Sequence, residues 1–225
     1  MKIDKVSRRV AVLGGLSALL FPDDGWPFGD DRQAEGGIGG TGIVGILVDT
    51  APLRVSGTAL SIDPETAVTN AYGSVSQQSL RRGNSLTVEA RRLRDQLIAR
   101  RVHVTYPLVG ALSDISANGR QIRVNGIDVT LEGTLPRVRP GDRVAVSGLW
   151  RGPSVVASRV DRTNTPLDLV AGDVSRNRGT TAVGGVTLRG ASTGRLRRGT
   201  FAEAIGVFDP NENLLDLRSL TSDRF

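Results

Sequence analysis

Residues 141–148, GDRVAVSG, decide the fold because their apolar side chains alternate with polar ones. An alternation with a period of two is typical of a strand that has one buried face and one solvated face. Pro140 and Gly141 form a turn cluster at the start of this strand, and a second apolar stretch follows at 155–160 (VVASRV). The two stretches are predicted to pair as an antiparallel hairpin.

Similar stretches stand 58 residues earlier and 58 residues later in the chain. The earlier copy, at 83–88 (GNSLTV) and 97–102 (LIARRV), aligns without a gap. The later copy, at 199–206, repeats both glycines of the segment. Pro140 and Asp142 have no clear counterparts in either copy. Self-similarity at a fixed interval predicts a tandem repeat of one structural unit.

Each copy is preceded by two further predicted strands, the second of which leads into a glycine turn. These strands are predicted at 43–48 and 53–55, at 108–113 and 122–124, and at 169–174 and 181–183. Asn125 and Gly126 suit a tight hairpin turn because both tolerate positive φ. Short strands at this spacing, with no long amphipathic helix between them, predict an all-β fold of tandem small antiparallel barrels. The three predicted repeat units are 43–107, 108–165 and 166–225.

The stretch 86–101 also suits a helix, but its gap-free match to the strands at 144–160 favours a hairpin. On that alignment, the side chains predicted to line the interiors are Val144, Val146, Val156 and Val160 in unit two and Leu86, Val88, Ile98 and Val102 in unit one. The side chains predicted to face water are Arg143, Ser147 and Arg159, because side chains alternate across a strand.

Several short motifs of the chain resemble motifs of one known family. These motifs are GGIGGTGI at 36–43 and, within 122–160, IRVNG, VRPGDRVAVSG and VVASRV. They are similar to motifs of an exported bacterial family known only as unknown-function family 5666. The resemblance is best over residues 108–161 and weaker in the other two units. It implies that each unit is an OB-like five-stranded barrel, and it implies no catalytic residue.

The N-terminus predicts an export signal at 1–21, followed by a flexible Gly/Asp-rich linker at 22–42. Four basic residues precede an uncharged run at 10–21, which is too short to cross a hydrocarbon core of roughly 30 Å as a helix. A basic stretch before a short apolar stretch is typical of a secretory signal helix. Arg8 and Arg9 also resemble the twin-arginine export signal, although Ala11 stands where Phe is usual. The alternative is a buried N-terminal helix.

These features predict a periplasmic or extracellular protein. No integral membrane span is expected other than an uncleaved leader.

The composition excludes several kinds of chemistry. Cysteine is absent and histidine occurs once, which excludes disulfide scaffolds, thiol catalysis, zinc fingers and sites built from several histidines. His103 lies in an alternating strand, where a packing or surface role is expected. The glycine motif at 37–42 lacks the preceding strand and following helix of a dinucleotide site. Asp49 has no second copy to complete an aspartic-protease pair, and 209–213 lacks the glycine and the twelfth-position carboxylate of a calcium loop. We therefore predict a non-enzymatic protein without catalytic residues, cofactor or metal.

The net charge of +6 comes almost entirely from arginine, since only two of the 29 basic residues are lysine. Solvated arginine faces are the default interpretation. The alternative is a site for polyanions, with these candidate residues: Arg81, Arg82, Arg91, Arg92, Arg94, Arg100, Arg101, Arg195, Arg197 and Arg198. OB-type barrels that bind single-stranded nucleic acid also use stacking aromatics, which are few here, so nucleic acid is the less favoured polyanion.

The sequence thus predicts an exported binding or structural module of the cell envelope. Its partner would be an unidentified envelope protein or a polyanion. The alternative function is OB-type binding of single-stranded nucleic acid or anionic polysaccharide through the arginine surface.

Overall fold

The computed structural model describes residues 40–177 and 179–222, which form seventeen strands and two short 3₁₀ turns without any α-helix. The predicted all-β class is confirmed for this part of the chain. The predicted export signal and most of the predicted linker lie outside the described residues. Strand β1 begins at Gly40, so residues 40–42 belong to a strand and not to the linker.

The strands fall into three segments of the chain. The first segment has β1 (Gly40–Thr50), β2 (Leu53–Val55), β3 (Thr58–Leu60), β4 (Ala67–Asn70), β5 (Gly73–Ser74), β6 (Ser85–Leu93) and β7 (Gln96–Thr105). The second has β8 (Leu108–Ile115), β9 (Gln121–Val124), β10 (Ile127–Leu131), β11 (Arg143–Arg151) and β12 (Ser154–Arg162). The third has β13 (Asp168–Asn177), β14 (Thr180–Val183), β15 (Val186–Arg189), β16 (Phe201–Asp209) and β17 (Leu214–Thr221).

The second segment closes into a five-stranded barrel. Its strands pair in the cycle β8–β9–β10–β12–β11–β8, in which the β10–β12 pair is parallel and the others are antiparallel. The third segment shows the same cycle, β13–β14–β15–β17–β16–β13, with β15 and β17 parallel.

The first segment follows the same order, with one link reduced to a single bridge. β1 pairs with β2 and β6, β2 with β3, and β6 with β7. The remaining link, between the end of β3 and β7, is a parallel bridge at Ser61: the Ser61 amide donates to the Leu97 carbonyl at 2.8 Å, and the Ala99 amide donates to the Ser61 carbonyl at 2.9 Å. The extra hairpin β4–β5 lies beside β7, with β4 parallel to it.

Two local features recur at the same interval. The last two strands of each segment form a hairpin, and the second of these strands has a β-bulge. The register shifts after Glu89, Ser147 and Ile205 of the first strand of the hairpin, and these residues are 58 positions apart. In the turn before that strand, the amides of Gly83, Gly141 and Gly199 each donate to a carbonyl of the segment's first strand at 2.8 Å. The three segments therefore share turn geometry as well as strand order.

The first copy also has a counterpart for Asp142, contrary to the sequence comparison. Asp142 accepts the Arg139 amide at 2.8 Å, and Asn84 accepts the Arg81 amide at 2.7 Å from the equivalent position. An amide oxygen replaces a carboxylate oxygen as the acceptor, so the contact is kept while the residue type changes.

The stretch 86–101 forms the predicted hairpin, since β6 and β7 pair from Ser85↔Thr105 to Leu93↔Gln96. The predicted turn at Asn125 and Gly126 is also confirmed, with φ of 49° and 74°. The equivalent turns at Ser56–Gly57 and Gly184–Gly185 have positive φ at both residues too.

Most predicted interior residues are buried: Val144, Val146, Val160, Leu86, Val88 and Val102. The prediction was wrong for Val156 and Ile98, which are only half-buried. The bulge in each hairpin shifts the register by one residue, and a one-residue shift moves the side chains before it to the other face. Val155 and Ala157 are buried in the second segment instead.

The prediction that Ser147 faces water was also wrong, because Ser147 is 1% exposed. The first segment covers it, and the Asn84 amide nitrogen donates to Ser147 Oγ at 3.3 Å. Arg143 and Arg159 are half-buried rather than fully solvated. Arg143 pairs with Asp168 at 2.8 Å, and Arg159 pairs with Asp161.

Candidate functional site

The predicted polyanion residues do not form one patch. Arg81 and Arg82 precede strand β6, whereas Arg91, Arg92 and Arg94 are at its far end, nine residues of strand away. Arg100 and Arg101 lie on β7. Arg195, Arg197 and Arg198 lie in the third segment, at and after the 3₁₀ turn Ala191–Arg195.

The largest concentration of charge is on the β6–β7 hairpin, which we call the arginine hairpin (Arg91, Arg92, Arg94 and Arg100). All four side chains are exposed, and none has a carboxylate within 4.0 Å among the described residues. Arg94 is at the tip with φ of 52°, and Arg100 is the bulged residue of β7. Because the bulge adds one unpaired residue to the strand, it carries an additional cation to the outside of the barrel.

The fifth arginine of this hairpin, Arg101, is neutralised. Its Nε donates to Glu89 Oε2 at 2.5 Å. A cleft of about 480 Å³ lies along this side of the first segment, and its lining carries three carboxylates as well as three of the arginines. The charged residues that line it are Asp63, Glu65, Glu89, Arg91, Arg100 and Arg101. The cleft is therefore balanced in charge, and Arg92 and Arg94 are the cations of the arginine hairpin that do not line it.

Arg81 and Arg82 are involved in structural contacts. The Arg81 guanidinium donates to the carbonyls of Gln78 and Leu80 and closes the 3₁₀ turn Gln77–Ser79. The Arg82 carbonyl accepts from Arg159 of the second segment at 3.3 Å. The Arg81 guanidinium therefore has a local structural role, whereas the contact between segments uses only the backbone of Arg82.

His103 makes a buried contact with a carboxylate, which the sequence did not indicate. Its Nε2 lies 3.0 and 3.1 Å from the two carboxylate oxygens of Glu203 in the third segment, and its Nδ1 lies 3.0 Å from Thr69 Oγ1. The side chains of His103 and Glu203 are 11% and 5% exposed. Glu203 is 100 residues away in sequence, so no local motif could reveal the pair.

This order of groups is a hydroxyl, an imidazole and a carboxylate, as in a hydrolase triad. A nucleophile also needs an open position beside it for substrate and donors for the oxyanion. Four clefts along the described residues are lined by other side chains and not by Thr69, His103 or Glu203. The contacts instead join strands β4, β7 and β16.

A polar seam between the first and second segments lies beside the His103–Glu203 contact. Ser85 Oγ accepts the Gly148 amide at 2.8 Å and donates to the Gly148 carbonyl at 2.9 Å, and Ser158 Oγ donates to the Gly83 carbonyl at 2.6 Å. Two buried hydroxyls next to it, Thr87 Oγ1 and Thr105 Oγ1, have no protein partner in the described residues. Buried hydroxyls of this kind are usually satisfied by an ordered water.

A second cleft, of about 600 Å³, lies between the second and third segments. Its polar floor includes Asn125, which donates to the carbonyls of Val109 and Leu169, and the Arg143–Asp168 pair. Phe208 lines its wall, and the Phe208 amide donates to Asp168 Oδ2 at 2.8 Å. Each of these polar groups already has a partner, so the cleft offers few free donors or acceptors.

The two tyrosines of the chain lie where the segments meet. Burial, together with the Asp168 carboxylate, raises the pKa of Tyr72 well above its ordinary value of 10.0. Burial also raises the pKa of Tyr106, with a smaller contribution from Asp161. The Tyr72 hydroxyl donates to the Leu167 carbonyl at 3.1 Å.

The two acidic motifs set aside in the sequence analysis, at Asp49 and Asp209, make local backbone contacts at turns. Asp209 Oδ1 accepts the Asn211 amide at 2.9 Å, and Asp49 Oδ1 accepts the Thr50 amide at 2.8 Å. The amides of Ala51 and Thr50 lower the pKa of Asp49. No group of three or more metal-ligating side chains occurs within 40–177 and 179–222, and no helix in this part of the chain is long and apolar enough to cross a membrane.

Comparison with known proteins gives no family for this chain. No family model matches it, and no curated protein matches it significantly. The resemblance to unknown-function family 5666 therefore stays a prediction.

Proposed function

We propose that the chain is an exported, non-enzymatic binding module built from three OB-like barrels held in one fixed arrangement. The three cycles of strand pairing and the bulges at 58-residue intervals support the three-unit interpretation. The observation that most supports a fixed arrangement is the buried polar contact between units, above all the His103–Glu203 pair. Tandem domains on flexible linkers would lack such contacts, whereas a fixed arrangement presents several surfaces in constant relative positions.

The envelope location is tested by cell fractionation with antibody detection of the native protein. We expect the protein in the envelope or extracellular fraction, at a mass below the 23.9 kDa of the full sequence if the leader is removed. Substitution of Arg8 and Arg9 by Lys should retain the protein in the cytosol if the twin-arginine route is used. Native protein found wholly in the cytosol, with its leader intact, would contradict the proposal.

The second candidate function is polyanion binding by the arginine hairpin. The observation that favours it is the absence of a carboxylate within 4.0 Å of Arg91, Arg92, Arg94 or Arg100 among the described residues. Cations without a local counter-charge attract polyanions and release counterions on binding, so affinity falls steeply with salt. Anionic polysaccharide is favoured over nucleic acid because no aromatic residue occurs in β6 or β7 to stack on bases.

The test is retention on heparin and on single-stranded DNA at about 150 mM salt, where longer-range attraction between exposed charges is screened. The double variant Arg92→Ser and Arg94→Ser should elute from heparin at lower salt than the wild type. The matched control, Arg195→Ser and Arg197→Ser, removes the same charge from the third unit and should leave retention nearly unchanged. Equal losses in both variants would indicate net charge alone, and flow-through of the wild type would exclude this function.

A further inference from the structure

The first half of strand β1 has one edge without a neighbouring strand in the described part of the chain. The first half of β1 pairs with β6 on one side only, and its second half, from Leu47 onward, gains β2 on the other side. The Leu47 amide points to the β6 side and the Ile46 amide points to the β2 side. Because these directions alternate along a strand, the amides and carbonyls of Gly42 and Val44 point away from β6 into the open edge.

The equivalent edges of the other two units are occupied by each other. Leu47, Leu112 and Val174 occupy the same place in their units, since each accepts from the glycine of the recurring turn. The residues three positions before them are Val44, Val109 and Ala171. In β8 and β13 this edge forms an antiparallel pair, with Val109 opposite Leu169 and the Ala171 amide donating to the Pro107 carbonyl at 2.9 Å.

This pairing relates the second and third units by a local two-fold axis. Leu108 lies opposite Val170, and these two residues are themselves at equivalent positions. The side chains follow this symmetry at the level of the turns. Trp150 of the second unit packs on the turn of the third at Gly184, and Phe208 of the third packs on the turn of the second at Gly126, which is equivalent to Gly185. A Cβ on Gly126 would lie 3.3 Å from the Phe208 ring. The chain thus already contains one isologous edge-to-edge contact of this unit.

We propose that the open edge of β1 at Gly42–Val44 pairs antiparallel with the same edge of a second copy of the chain. The two-fold axis would pass through Ile43, which is the equivalent of Leu108. Gly42 of each copy would lie opposite Val44 of the other copy, and the two residues of each such pair would exchange hydrogen bonds. The proposal rests on the equivalence of the three units proposed above.

The character of the edge supports this occupant. Residues 40–48 carry no charge, and Val44 is 52% exposed. Open edges of monomeric proteins are usually protected by charges, proline or bulges. Gly42 is at the position equivalent to Pro107 but has an amide N–H, which proline lacks. Both hydrogen bonds between Gly42 and Val44 of the other copy can therefore form. Arg92 stands at the position of Trp150 and Phe208, so we expect a more polar and weaker contact than the internal one, and a dimer that dissociates on dilution.

The first test is the mass in solution over a range of concentration, by sedimentation velocity on the full chain. The wild type should change from monomer to dimer as concentration rises. Val44→Pro removes an amide that points into the open edge and breaks no β1–β6 bond, so it should be monomeric throughout with an unchanged unfolding temperature. Val44→Thr keeps the amide and the branched side chain, and should still dimerise.

The second test is a disulfide, which is clean because the chain has no cysteine. Ile43 would face itself in a non-hydrogen-bonded pair with Cα atoms about 4.5 Å apart, within the range of a disulfide. Ile43→Cys should give a disulfide-linked dimer on mild oxidation, whereas the exposed control Val48→Cys should not.

A wild type that stays monomeric at every concentration, with no cross-link through Ile43→Cys, would overturn the proposal. So would a Val44→Pro variant that dimerises like the wild type. Either result concerns only this edge: fractionation and heparin retention decide the proposed function separately.

Discussion

His103 and Glu203 make a buried contact between the first and third segments, with Nε2 3.0 Å from Oε1. A carboxylate with 5% exposure has lost most of its hydration and depends on its partner for compensation. Removing one member of such a pair is therefore more harmful than removing an exposed ion pair. We therefore expect the contact to couple the stability of the first segment to that of the third.

We expect Glu203→Ala to lower the free energy of unfolding by about 3 kcal/mol, the usual cost of leaving a buried partner unpaired. The measurement is urea unfolding followed by circular dichroism. Glu212→Ala is the control, because Glu212 pairs with Arg189 at the surface with 56% exposure, and its loss should cost below about 1 kcal/mol. The double variant with His103→Leu should cost less than the sum of the single changes; additivity would show that the two groups do not interact.

Arg143 should contribute more to stability than its place in an alternating strand suggests. Its Nη2 donates to Asp168 at 2.8 Å and its Nε donates to the Thr165 carbonyl at 2.6 Å. Arg143→Ala leaves these acceptors without a donor, so we expect a loss of about 1–3 kcal/mol. Arg120→Ala, an exposed change, should remain within about 0.5 kcal/mol. Equal effects of the two substitutions on the urea midpoint would contradict the structural role of Arg143.

The glycine turn beneath Trp150 allows a paired comparison. Gly184 and Gly185 both have positive φ, of 54° and 84°, so either substitution to Ala should cost about 1 kcal/mol from the backbone alone. A Cβ on Gly184 would also overlap the Trp150 ring, whereas one on Gly185 meets only Ile127 at 3.8 Å. Gly184→Ala should therefore cost about 1–3 kcal/mol more and change the near-ultraviolet circular dichroism of Trp150. An equal cost at both positions would exclude the contact.

The tyrosines should resist ionisation in the folded protein. The pKa values of Tyr72 and Tyr106 are both raised above 10.0, chiefly by burial. Their contribution to stability is thus complete below pH 10 and is lost as the pH rises through the higher folded-state pKa values. Tyrosinate absorbance of the native protein should stay flat through pH 10, while the urea-unfolded chain titrates there. A native step near pH 10 for one tyrosine, assigned with Tyr72→Phe and Tyr106→Phe, would show that this residue is solvated.

The strand pattern and the turns could be predicted because they depend on local alternation and on residues that tolerate positive φ, such as Asn125 and Gly126. The half-buried position of Val156 could not, because a bulge adds a residue without leaving a composition signal. Burial of Ser147 depends on Asn84 in another unit, and the His103 contact depends on Glu203. Such contacts depend on how distant segments of the chain pack together, and the local alternation of apolar and polar residues carries no information about that packing.

The separation of His103 and Glu203 also sets an order for assembly. Each segment pairs its own strands within about 65 residues, whereas this contact spans 100. Chains emerge from the ribosome N-terminus first, and domains generally fold as units during synthesis. Strand β7 is therefore synthesised before β16. The His103 imidazole stays exposed to solvent until the third segment has been made and has folded. A nascent chain that stops before Glu203 should expose the outer face of β7 to chaperones and proteases.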